Sequence, residues 1–227
     1  MSAAGGLISL LVGTVLLRLV LSGAYGRYVR PGMGLWLAVA GVVVVAIGLA
    51  TLLQALGHRQ PADAHDHHRH GGDRVGWLLL APIAALLLVA PPTLGSYGVG
   101  RAAGVEVRAG AGVLDPLAAG ARPVPMTLLE FGQRAFDRDG ASFNGAAVQL
   151  TGFVAGADAG GFRLARYQIA CCAADAAPVV ARVVGRGAPP RDRWVTVTGT
   201  FQPGGRELPE LAASNVVEVA PPDDPYE

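Results

Sequence analysis

The chain has 227 residues, of which 52 % are hydrophobic and only 15 % are charged. This balance is too apolar for an ordinary soluble protein and indicates an integral membrane protein. The formal net charge is +1, and residues 96–227 carry 12 arginines against 14 acidic residues, a net charge of −2. A basic surface for nucleic acid is therefore not expected.

Three apolar runs are predicted to cross the membrane as helices. Residues 1–17, 31–57 and 75–100 contain no charged side chain. With the apolar residues that follow Arg18 in the first run, each run reaches the roughly 20 residues that a transmembrane helix needs. A cleaved signal peptide is disfavoured, because the positive amino-terminal region is missing and Arg18 interrupts the apolar part. Residues 1–100 are therefore predicted to form a three-helix transmembrane region, in contact with membrane lipid.

The loop between the second and third runs, residues 58–74, holds every histidine of the chain. Imidazole nitrogens and the neighbouring aspartates suit zinc, nickel or copper, but the spacing H-x-H-H-x-H does not define a fixed tetrahedral site. Two interpretations stay open: a loose metal-collecting loop, or a solvated loop that binds nothing. The candidate ligands are His58, His65, His67, His68 and His70.

A linker and a small β domain are predicted after the third run. Gly, Ala and Pro dominate residues 101–125, which is typical of a linker. At the start of residues 126–227, the segment TLLEFGQRAF predicts an amphipathic helix, capped by Thr127 with Glu130 three residues on.

Five short strand-like runs follow, separated by Gly, Pro and Asp turn signals. Five strands in so short a segment predict a small all-β, OB-like five-stranded barrel. The segment GRGAPPRD between the third and fourth runs is too short for the helix that many OB folds carry there. The predicted strands are residues 146–154, 162–171, 177–184, 194–201 and 214–220.

The chain contains two cysteines, Cys171 and Cys172, and they are neighbours. A bond between them would close a very small ring and shorten no loop, so they are not expected to staple the fold. Three interpretations stay open: a thiolate pair that binds a soft metal together with Asp175, a redox pair or vicinal disulfide, or inert thiols.

The β domain has no histidine, so a Cys–His nucleophile cannot be built within it. The chain also lacks a Gly-rich phosphate loop and a Ser–His–Asp set. We therefore do not expect an enzyme.

Several motifs resemble those of the YcgQ-like family of bacterial permease subunits. They are PPTLGS at 91–96, VQLTGFV at 148–154, LARYQIACCAADAAPV at 164–179, RWVTVTGTF at 193–201 and the ending PPDDPYE. The similarity covers nearly the whole chain, and its most specific part is CCAADA, residues 171–176.

The resemblance implies an accessory membrane subunit that works with a larger multi-span permease. It suggests a role in the homeostasis of zinc or another divalent metal. Basic second loops in the family imply that the amino terminus and residues 58–74 are cytoplasmic and the C-terminal domain extracytoplasmic. A membrane-anchored thiol redox protein and a structural interaction module are the alternatives.

Overall fold

The computed structural model describes residues 3–57, 94–100, 114–118, 120, 122–205 and 207–227. The chain forms two compact units, Met1–Pro92 and Thr93–Glu227. The His-rich loop, and with it all five histidines, lies outside the described residues, as do residues 75–93 of the third apolar run.

In the amino-terminal unit the described residues, 3–57, form two apolar helices, α1 (Ala3–Leu21) and α2 (Gly34–Gly57), joined by short 3-10 turns at Ala24–Arg27 and Pro31–Met33. Among the described helices, α2 alone is long and apolar enough to cross a membrane, with a mean hydropathy of 2.5. The apolar part of α1, Gly5–Leu21, is shorter. Of the three predicted spans, the described residues therefore contain one of full length.

Glycines bring the backbones of α1 and α2 into close contact. A Cβ atom on Gly48 would lie 2.8 Å from the Leu10 nitrogen and 2.9 Å from the Gly6 carbonyl oxygen. A Cβ on Gly13 would lie 2.9 Å from the carbonyl oxygen of Gly41. Glycine permits this approach because small residues let the backbones of two helices come together.

Most of the α2 surface is apolar and uncovered. Leu35 is 72 % exposed, Trp36 67 % and Leu53 59 %. Exposing such a helix to water is unfavourable in free energy, because its aliphatic and aromatic side chains are not transferred to an apolar environment. The exposed side chains of α2 are those expected of a helix in contact with lipid.

The described residues of the carboxy-terminal unit, Thr93–Glu227 (the β unit), form two helices and six strands. The helices are α3 (Ser96–Val99) and α4 (Leu128–Phe136), and a 3-10 segment follows at Arg138–Phe143. The strands are β1 (Val124–Pro125), β2 (Ala147–Asp158), β3 (Gly161–Gln168), β4 (Ala177–Val184), β5 (Trp194–Gln202) and β6 (Glu210–Glu218). All five predicted strands are present. The second ends before the cysteines, and the fifth begins earlier than predicted.

The strands pair in the order β1-β2-β3-β4-β6-β5, and β2 also pairs with β5. The long strand β2 pairs with two strands: its residues Ala147–Phe153 pair with β5, and Phe153–Asp158 pair with β3. A bulge between Val154 and Gly156 bends the strand just after this change of partner. At the change itself, a Cβ on Gly152 would lie 2.7 Å from the Ala165 carbonyl oxygen, so glycine is required there.

Helix α4 begins as the sequence predicts. The Thr127 side chain accepts a hydrogen bond of 3.0 Å from the Glu130 amide. The Glu130 carboxylate pairs with Arg134 at 2.9 Å. The apolar face of α4 places Phe131, fully buried, in the main core beneath the sheet, against Phe143 and Phe201.

Thr127→Ala should lower the free energy of unfolding by about 1 kcal/mol, because the Glu130 amide loses its acceptor. Urea titration of the full chain in detergent, followed by tryptophan fluorescence, measures this change. Thr127→Ser keeps the oxygen and should stay close to the wild type. Equal losses in both variants would contradict the capping role.

A second cluster of buried side chains covers the outer face of the sheet. It consists of Phe153, Ala155, Ala165, Tyr167, Ile169, Trp194 and Tyr226. Leu94 and Val99, from the end of the third apolar run, pack against it. The run was expected to remain in lipid to residue 100, yet its last residues are part of the β unit.

The carboxy-terminal tail, residues 219–227, forms hydrogen bonds with β3 and with α4. Arg166 donates hydrogen bonds to the carbonyl oxygens of Asp224 and Tyr226, at 2.6 and 3.1 Å. The Glu227 carboxylate accepts from the amides of Leu128 and Leu129, at 2.8 and 3.0 Å. Burial raises the pKa of Glu227, and the two amides oppose that rise. The tail thus caps α4 and braces the strand that leads to the cysteines.

Candidate metal centre in the cysteine turn

The cysteines lie in the turn between two firmly paired strands. Strands β3 and β4 form an antiparallel ladder that ends with Gln168 opposite Ala177. Residues 169–176 connect them and include a 3-10 turn at Ala173–Asp175. The Ile169 amide donates to the Glu227 carbonyl oxygen at 3.2 Å, and the Ile169 side chain is buried. The end of the turn that follows β3 is therefore fixed both by the strand pairing and by the tail.

Asp175 organises the turn by accepting hydrogen bonds from three successive amides. Its Oδ1 atom accepts from the Ala170 amide at 2.8 Å. Its Oδ2 atom accepts from the amides of Cys171 and Cys172, at 2.9 and 3.2 Å. The Cys171 thiol, the amides of Ala170 and Cys171 and, less strongly, that of Cys172 lower the pKa of Asp175 to about 2. The carboxylate therefore stays ionised at any physiological pH.

Both thiols are free and point into the same space as this carboxylate. The Cys171 thiol donates to Oδ2 of Asp175 at 2.8 Å, and its sulfur lies 3.7 Å from that of Cys172. The hydrogen bond to Asp175, followed by that to Cys172, raises the pKa of Cys171 to about 11. The thiol is protonated at neutral pH, because the hydrogen bond to an anion favours the form that carries the proton.

The three donor atoms are spaced as a metal ion requires. The two sulfurs and a carboxylate oxygen all lie within 4.8 Å of one another. Two sulfurs bound to tetrahedral zinc at about 2.3 Å lie about 3.8 Å apart, close to the observed 3.7 Å. The Cys171–Asp175 contact would lengthen to about 3.6 Å when the ion replaces the proton.

The site is open to solvent. Cys171 and Asp175 are exposed, and Cys172 is half-buried. A tetrahedral ion held by these three ligands keeps one position for water or for a ligand from another molecule. An open, exposed site with two thiolates suits an ion that is taken up and passed on rather than one that holds the fold together.

The structure brings three of the predicted ligands together: Cys171, Cys172 and Asp175. The five histidines lie outside the described residues, so their position relative to the cysteine turn is not part of the fold described. Sequence reasoning missed the three amides that surround Asp175. An aspartate in a turn usually accepts from an amide that follows it, so these contacts with preceding amides have no signal in the sequence.

The chain has no detectable similarity to any curated protein. Residues 134–227 match the family model of the DUF1980 C-terminal domain. The match begins inside α4 and includes strands β2 to β6, the cysteine turn and the tail. The part of the chain that carries the candidate metal centre is thus similar to a DUF1980 C-terminal domain, consistent with the resemblance to the YcgQ-like family.

Proposed function

We propose that this chain is a membrane-held metal-binding subunit whose β unit captures a divalent cation, zinc first, at Cys171, Cys172 and Asp175. One observation carries the proposal: two sulfurs and an ionised carboxylate lie within 4.8 Å on an exposed turn. Borderline-soft ions such as zinc prefer thiolate ligands, and the carboxylate supplies the third.

The raised pKa of Cys171 favours a metal ligand over a redox catalyst. Reactive cysteines in redox enzymes have lowered pKa values, because the thiolate is the attacking species. In this turn the neighbouring carboxylate acts in the opposite direction and raises the pKa to about 11. A metal ion displaces the proton directly and binds both the thiolate and the carboxylate.

The proposal extends to a role as an accessory subunit of a multi-span permease. The apolar exposed face of α2 supports contact with lipid or with the helices of a larger membrane protein. Helix α2 contains no ionisable side chain with which to conduct an ion by itself. The β unit, on the extracytoplasmic side, would hand its ion to the permease, and the His-rich loop would collect ions on the cytoplasmic side.

The pairing of the strands supports an OB-like barrel as the frame of the β unit. Strands β2 to β6 pair in a circuit that returns to β2, and β4 lies parallel to β6. A closed sheet holds the cysteine turn on short, well-supported strands. In this arrangement the barrel supplies rigidity, and the turn supplies the chemistry.

Zinc affinity tests the proposed site. The full chain in detergent is titrated with zinc against a chromophoric chelator, and cobalt is used to detect thiolate coordination by absorption. Cys171→Ser/Cys172→Ser should lower zinc affinity at least 100-fold and abolish the cobalt–thiolate band, because both soft ligands are removed. Wild-type affinity should rise with pH, since binding releases thiol protons.

Asp223→Asn is the matched control, because Asp223 is an exposed acidic residue outside the cysteine turn. It should bind zinc as the wild type does. A wild-type chain without the cobalt–thiolate band, or a double serine variant that keeps full affinity, would show that the cysteines are not ligands. Copurification of the tagged chain from native membranes tests the permease partner separately.

A further inference from the structure

A polar groove separate from the cysteine turn lies on the β unit, formed by the start of β3, the bulge in β2 and the loop before β5. Its volume is about 480 Å³. Two arginines line it, Arg163 and Arg191. The other lining residues are Ser96, Tyr97, Val99, Gly100, Ala155 and Asp192. Nothing in the metal-binding proposal uses these side chains.

Arg163 is directed into the groove by the register of the sheet. Its neighbours Phe162 and Leu164 are fully buried in the core, so Arg163 lies on the outer face of β3. Opposite it on β2 stands Gly156. A Cβ on Gly156 would lie 3.0 Å from Nη2 of Arg163, so the guanidinium lies against bare backbone.

Arg163 is half-buried, and within the described parts of the chain it has neither a hydrogen bond nor an ion pair. No nitrogen of Arg163 is among the buried atoms without a partner, so its N–H donors face solvent and stay available to a ligand. By contrast Arg182, the neighbour of Arg163 on β4, pairs with Asp158 and Glu210. The positive charge of Arg163 is thus not neutralised by a carboxylate of the described residues.

Arg191 adds a second guanidinium to the groove. Its Nε atom donates to the Ala155 carbonyl oxygen at 3.3 Å, which orients the side chain and leaves the terminal nitrogens for a ligand. The one carboxylate that lines the groove, Asp192, accepts from the amide and the hydroxyl of Ser96, at 2.7 and 3.0 Å. Asp192 thus holds the wall of the groove through Ser96, and it makes no ion pair with either arginine within the described residues.

We propose that this groove binds a phosphate group through Arg163 and Arg191. Guanidinium groups recognise phosphate oxygens in a bidentate manner, and two of them can bind different oxygens of one phosphate group. The phosphate belongs either to an anionic lipid headgroup or to a small soluble molecule. Lipid is a natural source, because the lining residues between 96 and 100 belong to the end of the third charge-free run, 75–100.

Calorimetric titration of the full chain in a neutral detergent tests the site with three probes. These are inorganic phosphate, short-chain phosphatidylglycerol and short-chain phosphatidylcholine. The wild type should bind an anionic probe, and Arg163→Gln/Arg191→Gln should weaken that binding at least tenfold. Arg163→Lys/Arg191→Lys should bind with an affinity between those two, because lysine keeps the charge and loses the fork geometry.

Arg186→Gln is the matched control, because Arg186 is an exposed arginine outside the groove. It should bind like the wild type. Tighter binding of phosphatidylglycerol than of inorganic phosphate identifies a lipid headgroup, and the reverse order identifies a soluble phosphate. The proposal fails if the wild type binds neither inorganic phosphate nor phosphatidylglycerol, or if the double glutamine variant, with an unchanged melting temperature, binds as tightly as the wild type.

Discussion

Asp175→Asn is expected to make Cys171 react about tenfold faster with iodoacetamide at pH 8, while zinc affinity falls at least tenfold. The two effects have opposite directions because Asp175 has two roles. In the metal-free turn the Cys171 sulfur donates a hydrogen bond to Oδ2 of Asp175 at 2.8 Å. This bond keeps the proton on the thiol and raises the pKa of Cys171 to about 11. In the metal-bound turn the same carboxylate is a ligand.

The size of the effect follows from the pKa of the thiol. If the neutral amide returns the pKa of Cys171 from about 11 to its ordinary value of 9.0, the fraction of thiolate at pH 8 increases about 100-fold. Each unit of lower pKa also reduces the nucleophilicity of the thiolate, with a Brønsted coefficient of about 0.5. The two factors leave a net acceleration of about tenfold.

The experiment measures alkylation of the two cysteines by mass spectrometry, in the zinc-free full chain and over a range of pH. Asp223→Asn serves again as the control and should leave the rate unchanged. A slower reaction in Asp175→Asn would mean that the carboxylate activates the thiol, and the redox alternative would then gain support. Unchanged reactivity would mean that the hydrogen bond between Cys171 and Asp175 is not formed in solution.

Much of the β unit was predictable from the sequence, because alternation of side chains carries a strong signal in short strands. In β5, for example, Val195 and Val197 are fully buried in the core, while Thr196 and Thr198 on the other face are half-buried. Trp194 lies on the threonine face and is nevertheless buried, since the tail and residues 94–99 cover it. Alternation shows which side chains share a face, but not what covers that face.

The candidate sites were predictable to unequal degrees. The metal centre was accessible because all three ligands lie within five consecutive residues, Cys171 to Asp175. The arginine groove could not be predicted from the sequence. It depends on the strand register that places Gly156 opposite Arg163, and on a bulge that no local sequence pattern predicts. Sites built within one turn are visible in a sequence, whereas sites built across strands need the pairing.

The two proposed sites lie near opposite ends of the same strand. Arg163 stands near the first residue of β3, and the cysteines follow its last residue. A strand of eight residues extends about 26 Å, so changes at one site should leave ligand binding at the other intact. The zinc and phosphate titrations therefore test independent statements about the β unit.

Gly48→Ala should destabilise the pairing of α1 with α2 by about 1–3 kcal/mol, the usual cost of overpacking. The added Cβ would lie 2.8 Å from the Leu10 nitrogen and 2.9 Å from the Gly6 carbonyl oxygen. Both atoms belong to the backbone, so no side-chain rotation relieves the contact, and the helices have to move apart. Alanine has the higher helix propensity, so a loss of stability cannot come from the helix itself.

Gly57→Ala is the matched control, because no atom lies within 4 Å of the Cβ that it would add. Spin labels on cysteines placed at the exposed positions Leu7 and Leu53, in a chain without the native cysteines, report the separation of the helices. Gly48→Ala should lengthen or broaden the measured distance and lower the midpoint of unfolding by sodium dodecyl sulfate. Gly57→Ala should change neither measurement. If both variants behave like the wild type, the close approach of the two backbones does not stabilise the packing of α1 against α2.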